Sequence, residues 1–549
     1  MSTDGRLDCI IIGYNEIPFE RYESFLGNYG IDTEAYRDLK FSFIDLGGNK
    51  LDYVGLMNYL YNLAGPNGSG STPMQAFKSG DIPNLAAAYL TNYLRQRGFE
   101  AQFINLFQQE KDLLIDYLNR DPLCVAITTT LYVVNTPVVE MVEFIRGHNS
   151  NVKIVVGGPL IANHARNNQG AALQAALDDM GADIYVIEGQ GEQTLSRILS
   201  CLKNKDALSE VPNIAFFQNG RLQRTGVVPE NNSIDENYID WGGFSSQDLG
   251  YTIQTRTARS CAFNCSFCNY PVRAGKLTLA SPQTVELELD SIRKLEYVKN
   301  VVFIDDTFNV PLPRFKDLCK MLIKNNYGFN WFSYFRCSNS DEEAIDLMAR
   351  SGCQGVFLGI ESGSPAILKN MNKAATVEKY VSGVKLLRQY GILTFGSFIV
   401  GFPGETAETV NETAAFLNEA KPDYYRAQMW YCEPGTPIEN QRDKYHINGE
   451  GFVWNHATMD SLAAMDHIDR LFLTTKDSIW LPQWSFDFWI IPYLLGKGIT
   501  KDQFREFMAQ AHKLLAMEIA SLAEHEKSAR QREVMLSLIR LAKEWPRTV

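Results

Sequence analysis

Five short apolar runs recur through the first part of the chain: residues 8–13 (DCIIIG), 101–106 (AQFINL), 123–128 (LCVAIT), 153–158 (KIVVGG) and 183–188 (DIYVIE). They are rich in Ile and Val and apolar on both faces, the pattern of strands buried in a parallel sheet. Helical spacing fills the intervals. The clearest case is 82–97 (IPNLAAAYLTNYLRQR), with Asp81 placed to cap its start and Gly98 to stop it. Alternating β and α elements predict an α/β chain whose residues 1–225 form a Rossmann-like, doubly wound sheet that takes ligands at the C-terminal ends of its strands.

The alternation repeats over 226–445, with strands predicted at 251–256, 301–304, 331–335, 355–360, 394–400 and 425–430 and helices such as 281–298 and 407–420 between them. Six β/α units fall short of the eight that close a full barrel, so an open, partial (β/α)6 barrel of the TIM type is expected. Residues 446–549 begin with an aromatic-rich stretch (Trp454, Trp480, Trp484, Trp489) and end in amphipathic patterns near 501–519 and 527–543. They are expected as a third, mostly helical C-terminal domain. The one low-complexity stretch is a short Gly/Ser/Asn loop at 65–71.

Composition narrows the class. Of 549 residues, 45 % are hydrophobic and 21 % charged, as in an ordinary globular protein, and no apolar run approaches the roughly 20 residues that span a bilayer. The opening MSTDGRLDCIIIG has no basic segment or cleavage site of a secretory signal, so a cytoplasmic protein is expected. A net charge of −12 argues against broad binding to nucleic-acid phosphates.

Of the ten cysteines, seven are scattered (Cys9, Cys124, Cys201, Cys319, Cys337, Cys353, Cys432) and three lie within eight positions. That distribution suits a reducing compartment with one metal site, the scattered thiols being small buried apolar groups. The three are Cys261, Cys265 and Cys268 in TARSCAFNCSFCNYP (257–271), a C-x3-C-x2-C loop directly after a predicted strand. Three thiolates on one tight loop can hold three irons of a [4Fe–4S] cubane and leave the fourth open to the amino and carboxylate groups of S-adenosylmethionine (SAM). A structural zinc site is the alternative, but it needs a fourth ligand, and no second C-x2-C or H-x3-H follows.

At this point the sequence resembles the radical SAM superfamily, whose motif is C-x3-C-x-aromatic-C, with Phe267 at the aromatic position. The resemblance assigns further cofactor residues at successive strand ends. Asp305 and Asp306 in FIDDTFN (303–309) would lie near the SAM amino group, and Arg336 would pair with the SAM carboxylate. Glu361 and Ser362 in GIESGS (359–364) would also line the SAM site, and Gly401 in SFIVGFPGET (397–406) would lie along the adenine. Each has a plainer alternative: Asp306 or Glu361 as a helix cap, 401–404 as a simple turn.

The first block adds TTT (Thr128, Thr129, Thr130), VVGGP with Gly157, Gly158 and Pro159, and IEGQGEQTL with Glu188, Gly189 and Gly191, each after a predicted strand. Small and hydroxylated residues there would let a large flat ligand approach the backbone; ordinary tight turns are the alternative. Placed before a radical SAM motif, these turns resemble the cobalamin-binding class B methylases. The Asp-x-His-x-x-Gly of many cobalamin domains is missing, and His164 comes too late in the fold to replace it. Cobalt would then carry water or nothing below, which favours methyl transfer from its upper face.

Further segments extend the likeness to the subfamily that includes the P-methyltransferases of phosphinothricin biosynthesis: DCIIIGYNE (8–16), AYRDL (35–39), ITTTLY (127–132), FIDDTFNVPLPRFK (303–316), CQGVFLGIESGSP (353–365), LKNMNK (368–373), AQMWYCEPGTPI (427–438) and GFVWNHATMDS (451–461). The resemblance implies methyl transfer from SAM by way of cobalamin to an unactivated sp3 carbon or a phosphinate phosphorus. The substrate would be a small molecule, a carrier-bound intermediate or a peptide, and a flavodoxin- or ferredoxin-type electron donor would be needed. Cyclisation, ring contraction or oxidation by the same cofactors is the alternative. A methylthiotransferase would need a second three-cysteine cluster, and Cys9, Cys124 and Cys201 are too irregularly spaced to supply it. A non-catalytic cobalamin sensor would not need an intact cluster motif. For the substrate, Cys432 follows the last barrel strand, and 454–460 (WNHATMD) could fold back as a lid bringing His456 and Asp460 to the pocket. The alternative makes Trp454 core and His456 a solvated loop residue.

Overall fold

The structure, a computed structural model, describes residues 6–65, 74–78, 81–130, 132–246, 248–484, 486–520 and 524–547. Most of the expected Gly/Ser/Asn loop at 65–71 lies outside them. Two compact units emerge, and both are discontinuous along the chain. The first comprises Met1–Pro18, Ile82–Gly250 and Thr278–Glu296; the second comprises Phe19–Asp81, Tyr251–Leu277 and Tyr297–Val549.

In the first unit the five predicted strands form: β1 (Cys9–Tyr14), β2 (Ala101–Leu106), β3 (Cys124–Thr128), β4 (Lys153–Gly157) and β5 (Ile184–Val186). They pair in parallel in the order β2-β1-β3-β4-β5. Two further strands, β6 (Ile214–Gln218) and β7 (Arg221–Arg224), extend the sheet antiparallel past β5. Ile10, Ile12, Val125, Ile127, Ile154 and Val156 are buried on the face that packs with Val138, Met141 and Ile145 of helix Thr136–His148. That two-sided burial is what the continuous apolar runs encode. The expected helix at 82–97 spans Leu85–Arg95, and its cap is Asn84, whose side chain accepts from the Ala87 N–H. Asp81 belongs instead to the second unit, where it pairs with Lys497 at 2.9 Å and accepts from the Tyr493 hydroxyl at 3.1 Å.

The second unit is built on a parallel sheet of β8 (Thr252–Thr255), β9 (Asn300–Phe303), β10 (Asn330–Tyr334), β11 (Cys353–Glu361), β12 (Leu393–Val400) and β13 (Tyr424–Met429), in that order. All six predicted barrel strands are present. A two-residue seventh strand, β14 (Ile479–Trp480), joins β13 in parallel. Helix Ala407–Ala420 starts from a capping box between Thr406 and Thr409, as its sequence allows. The helix expected at 281–298 is shorter, Pro282–Arg293 behind a Ser281 cap. It lies in the first unit, where Glu288 accepts from the Trp241 indole at 3.2 Å. Residues 446–549, expected as a separate domain, fall within the second unit and include helices Lys501–Ile519 and Glu524–Ala542. No described helix is long and apolar enough to cross a membrane.

Candidate functional site

The cysteine loop leaves the C-terminal end of β8 and is tied down at its root. Asp305, buried after β9, accepts from the Thr257 N–H (2.7 Å), the Thr257 hydroxyl (2.6 Å) and the Ala258 N–H (2.8 Å). Burial raises its carboxyl pKa although these donors favour the anion. Asp305 therefore fastens the loop at its root.

The middle of the loop is clamped by two distant segments. The Ser266 N–H donates to Met371 O at 2.9 Å and its hydroxyl to Asn370 O at 2.7 Å, while Asn372 donates to Asn264 O at 2.7 Å. Asn269 donates to Glu433 at 2.8 Å, and the Ile438 N–H to Ser266 O at 2.9 Å. LKNMNK and CEPGTPI, which in the sequence carry only a likeness, thus act physically by fixing where the thiols point.

Cys261 and Cys268 are part-exposed and Cys265 is buried, all as free thiols; the seven scattered cysteines are buried. Burial, with Cys265, Asp306 and Cys261 nearby, pushes the Cys268 thiol up to about 11. Thiolates gathered here need a cationic partner, which a metal cluster supplies. Among the described residues no three His, Cys, Asp or Glu side chains converge to hold a single ion. A cubane does not ask for that, because each thiolate takes a different iron.

Facing the loop, the Arg336 guanidinium lies 3.7 Å from the Phe263 ring centroid. Its Nη2 is buried without a hydrogen-bond partner. A buried guanidinium donor left unpaired is costly, and a carboxylate is the group it matches. Glu361, at the end of β11 with φ +70°, forms a buried ion pair with Lys373 at 3.1 Å. Lys373 also lies 5.4 Å from the Phe267 ring. Burial alone would lower the Lys373 pKa, but the Glu361 carboxylate, with Tyr380 and Cys265, carries it above its ordinary value. Lys373 escaped the sequence reading; its signal was the final residue of LKNMNK, twelve places after Glu361. Asp306 reaches solvent yet is walled by protein, as in a cleft, and burial together with Asp305 raises it to about 7. Arg336, Lys373, Glu361 and Phe267 therefore present cations, an anion and a flat ring beside the thiols, a set that fits a zwitterionic amino acid with an aromatic base.

Other expected residues point elsewhere. Ser362 is fully buried, and its hydroxyl accepts from the Ser364 N–H at 3.1 Å, closing a turn away from the cleft. Gly401 has φ +87°, and a Cβ there would come within 2.4 Å of the Trp454 ring. Packing against Trp454 thus explains that glycine. His456 is no lid residue: it stacks on Trp454 at 5.4 Å, its Nε2 bonds Gly401 O at 3.1 Å and its Nδ1 meets the Thr458 hydroxyl at 3.2 Å. With both nitrogens bonded and only 7 % exposure it is packed against Trp454 and is not a solvated loop residue. Asp460 caps helix Ser461–Thr474. Cys432 is fully buried beside Glu439 and Arg442, and burial holds its thiol up at about 11, so it offers no reactive thiolate.

In the first unit the strand ends line one edge of the sheet. The Thr128 hydroxyl donates to Gly13 O and that of Thr129 to Gly157 O at 3.0 Å, so both are spent on the edge itself. Gly158, with φ +112°, lets the next strand end approach: a Cβ would sit 2.8 Å from Thr129 Oγ1. A Cβ on Gly191 would likewise press on Val186 at 3.0 Å. Thr130 and Gly189 are exposed, and Gly157, Gly158, Pro159 and Glu188 are part-exposed. This small-residue edge fits a broad, flat ligand. Helix Glu192–Asn204 begins here, but Glu230 already accepts from the Gln193 and Thr194 N–H groups at 2.9 and 2.7 Å.

Comparison with known proteins agrees with this geometry. Residues 255–417 match the model of the radical SAM superfamily, and residues 78–199 match that of the B12 binding domain. The chain is a cobalamin-dependent radical SAM enzyme. Its cofactors are a [4Fe–4S] cluster, SAM and cobalamin. The enzyme is 26 % identical over 65 % of its length to 77 % of an uncharacterized methyltransferase of Pyrococcus horikoshii. It is also 26 % identical over 66 % of its length to 66 % of an anaerobic magnesium-protoporphyrin IX monomethyl ester cyclase of Rubrivivax gelatinosus. In fold it resembles the cobalamin-dependent SAM radical enzyme OxsB with aqua-cobalamin bound, at TM-score 0.59 and 14 % identity, over 99 % of this chain and 85 % of that one.

Proposed function

We propose that the enzyme transfers a methyl group from SAM, by way of cobalamin, to an unactivated sp3 carbon or a phosphinate phosphorus of a small substrate, with electrons from a flavodoxin- or ferredoxin-type donor. When bound, the cluster and SAM supply electron transfer and hydrogen abstraction, and cobalamin supplies the methyl group. In this reading Cys261, Cys265 and Cys268 hold the cluster, and Asp305, Ser266 and Asn269 hold the cysteine loop. Arg336 binds the SAM carboxylate, and the Lys373–Glu361 pair and Phe267 orient the rest of the molecule. Thr130, Gly157, Gly158, Pro159, Glu188 and Gly189 receive cobalamin.

The methyl-transfer reading is supported by the likeness to the methyltransferase of Pyrococcus horikoshii, and the first unit's two histidines, both bonded to the chain's own groups, are compatible with it. His148 stands at the C-terminus of helix Thr136–His148, remote from the strand ends where that helix begins, and bonds Phe144 O at 2.8 Å. His164 Nε2 is held by Asn135 at 3.0 Å. So bonded, neither histidine would offer its imidazole to a bound cobalamin. The likeness to the cyclase keeps non-methylating chemistry as the second reading.

The test needs no substrate. Reconstituted enzyme, reduced anaerobically with methyl-labelled SAM, is expected to release S-adenosylhomocysteine and carry label on cobalamin. Release of 5′-deoxyadenosine with neither of these would overturn methyl transfer in favour of the second reading.

A further inference from the structure

One face of the barrel sheet looks onto open space. Tyr334, Phe357, Gly359 and Gln428 lie on inner strands yet are part-exposed, whereas Trp331, Val356 and Leu358 on the alternate face are buried. Towards the strand starts this space is filled by aromatic rings: Phe488 lies 5.9 Å from both Phe357 and Phe395, and Trp489 lies 4.9 Å from Tyr334. Further along the same face, Ser397 of β12 and Arg426 of β13 stand side by side in register. Gln428 follows on that face, two residues beyond Arg426.

Arg426 is 7 % exposed and poorly paired. Its Nη2 donates to Gln483 Oε1, a neutral amide. The nearest carboxylate oxygen, on Asp38, is 3.8 Å away, outside hydrogen-bond reach. A guanidinium has five N–H donors, so most of this one's are left without a protein acceptor among the described residues. Burial lowers the Arg426 pKa against the pull of Asp38 and Asp487, as for a cation short of partners. Burial also raises Asp38. A buried charge so loosely compensated is costly in the fold. A planar fork inside an open barrel is the arrangement that binds carboxylates and phosphorus oxyanions in two-point fashion.

We propose that Arg426, with Ser397 beside it, anchors an oxyanion of the substrate inside the barrel, with Asp38 excluding anions until the substrate displaces its weak pull. The proposal rests on the preceding reading in taking the barrel as the catalytic chamber. The shared chemistry is a singly charged group with two anionic oxygens, which a carboxylate or a phosphinate presents.

Calorimetric titration of the reconstituted, SAM-saturated full chain with acetate, methylphosphinate and inorganic phosphate tests it, saturating SAM keeping the probes off Arg336. Wild type is expected to bind at least one probe saturably in the millimolar range, with methylphosphinate or acetate leading according to the substrate's source. Arg426→Gln should weaken that probe at least tenfold, and Asp38→Asn should tighten it several-fold by removing the competing carboxylate. The opposite signs keep the test decisive if one variant folds poorly. Equal affinity in wild type and Arg426→Gln, weaker binding in Asp38→Asn, or no anion binding in wild type would overturn the proposal. Arg426-dependent binding without S-adenosylhomocysteine formation would overturn only the methyl-transfer reading, and the converse only this one.

Discussion

At the level of single residues, the side chains that were legible from sequence are those whose chemistry needs a fixed spacing. Spacing on one loop singles out the three cysteines and Phe267, and the place at a strand end singles out Arg336, whose guanidinium lies over Phe263 of that loop. The misreadings share one cause: a polar residue near a strand end looks the same in sequence whether it faces a cleft or closes a turn. Ser362, Thr128 and Thr129 close turns or edges, and His456 is sealed by Trp454 and Gly401. Lys373 was missed because its partner Glu361 is remote in sequence. Arg336→Ala is expected to raise the Kd for SAM at least tenfold in equilibrium binding while leaving iron content near wild type. A second expectation concerns Glu405, which is buried, accepts from the Gly401 N–H, and has its carboxyl raised by burial from 4.5 to about 8. A carboxyl raised in the folded state stabilises it fully below the unfolded value, and that stabilisation is lost as pH climbs through the folded value. Glu405→Gln should therefore flatten the decline of Tm between pH 4.5 and 8, measured by thermal denaturation. An unchanged slope would mean that Glu405 is ionised throughout.

Secondary structure was read best where burial on both faces left no choice. The five first-unit strands each match an apolar run, and the six barrel strands stand where the β/α alternation predicts them. What escaped were elements too short or too polar to show. β14 has two residues, and Arg221–Arg224 is largely exposed. The β6–β7 hairpin did carry a signal: Asn219 and Gly220 have φ of +53° and +72°, the turn that Asn-Gly favours between paired strands. The cap of helix Leu85–Arg95 was misplaced by three residues because Asp81 and Asn84 are equally good capping types, and only the Asn84 carbonyl–Ala87 contact tells them apart. Asn84→Ala should cost about 1 kcal/mol in urea denaturation of the first unit, the usual loss for an N-cap. Gly401→Ala combines positive φ with a 2.4 Å approach to Trp454, so it should destabilise the second unit more, by about 1–3 kcal/mol.

The whole molecule departs most from a linear reading. Cutting the chain at 225 and 445 follows the order of elements, but compactness interleaves the segments: Phe19–Asp81 belongs with the barrel strands, and Thr278–Glu296 with the Rossmann-like sheet. Sequence periodicity reports which face of an element is buried and is silent on which neighbour buries it. Cys261, Cys265 and Cys268 lie in the second unit, while all of 82–199, nearly the whole B12-binding match, lies in the first. If each cofactor is held by its own unit, losing one should spare the other. Cys261→Ala, Cys265→Ala and Cys268→Ala are thus expected to lose most of their iron and all reductive SAM cleavage while retaining near-stoichiometric cobalamin. Its cob(II)alamin form should show no histidine-derived nitrogen superhyperfine splitting in electron paramagnetic resonance, because His148 and His164 are bonded elsewhere. Iron content and 5′-deoxyadenosine production check the first half, and cobalamin absorbance and the resonance spectrum check the second. Loss of cobalamin in step with iron would show that the two cofactor sites depend on each other, and an axial-nitrogen signal that changes on isotopic labelling of the histidine nitrogens would mean that a histidine is released to bind cobalt.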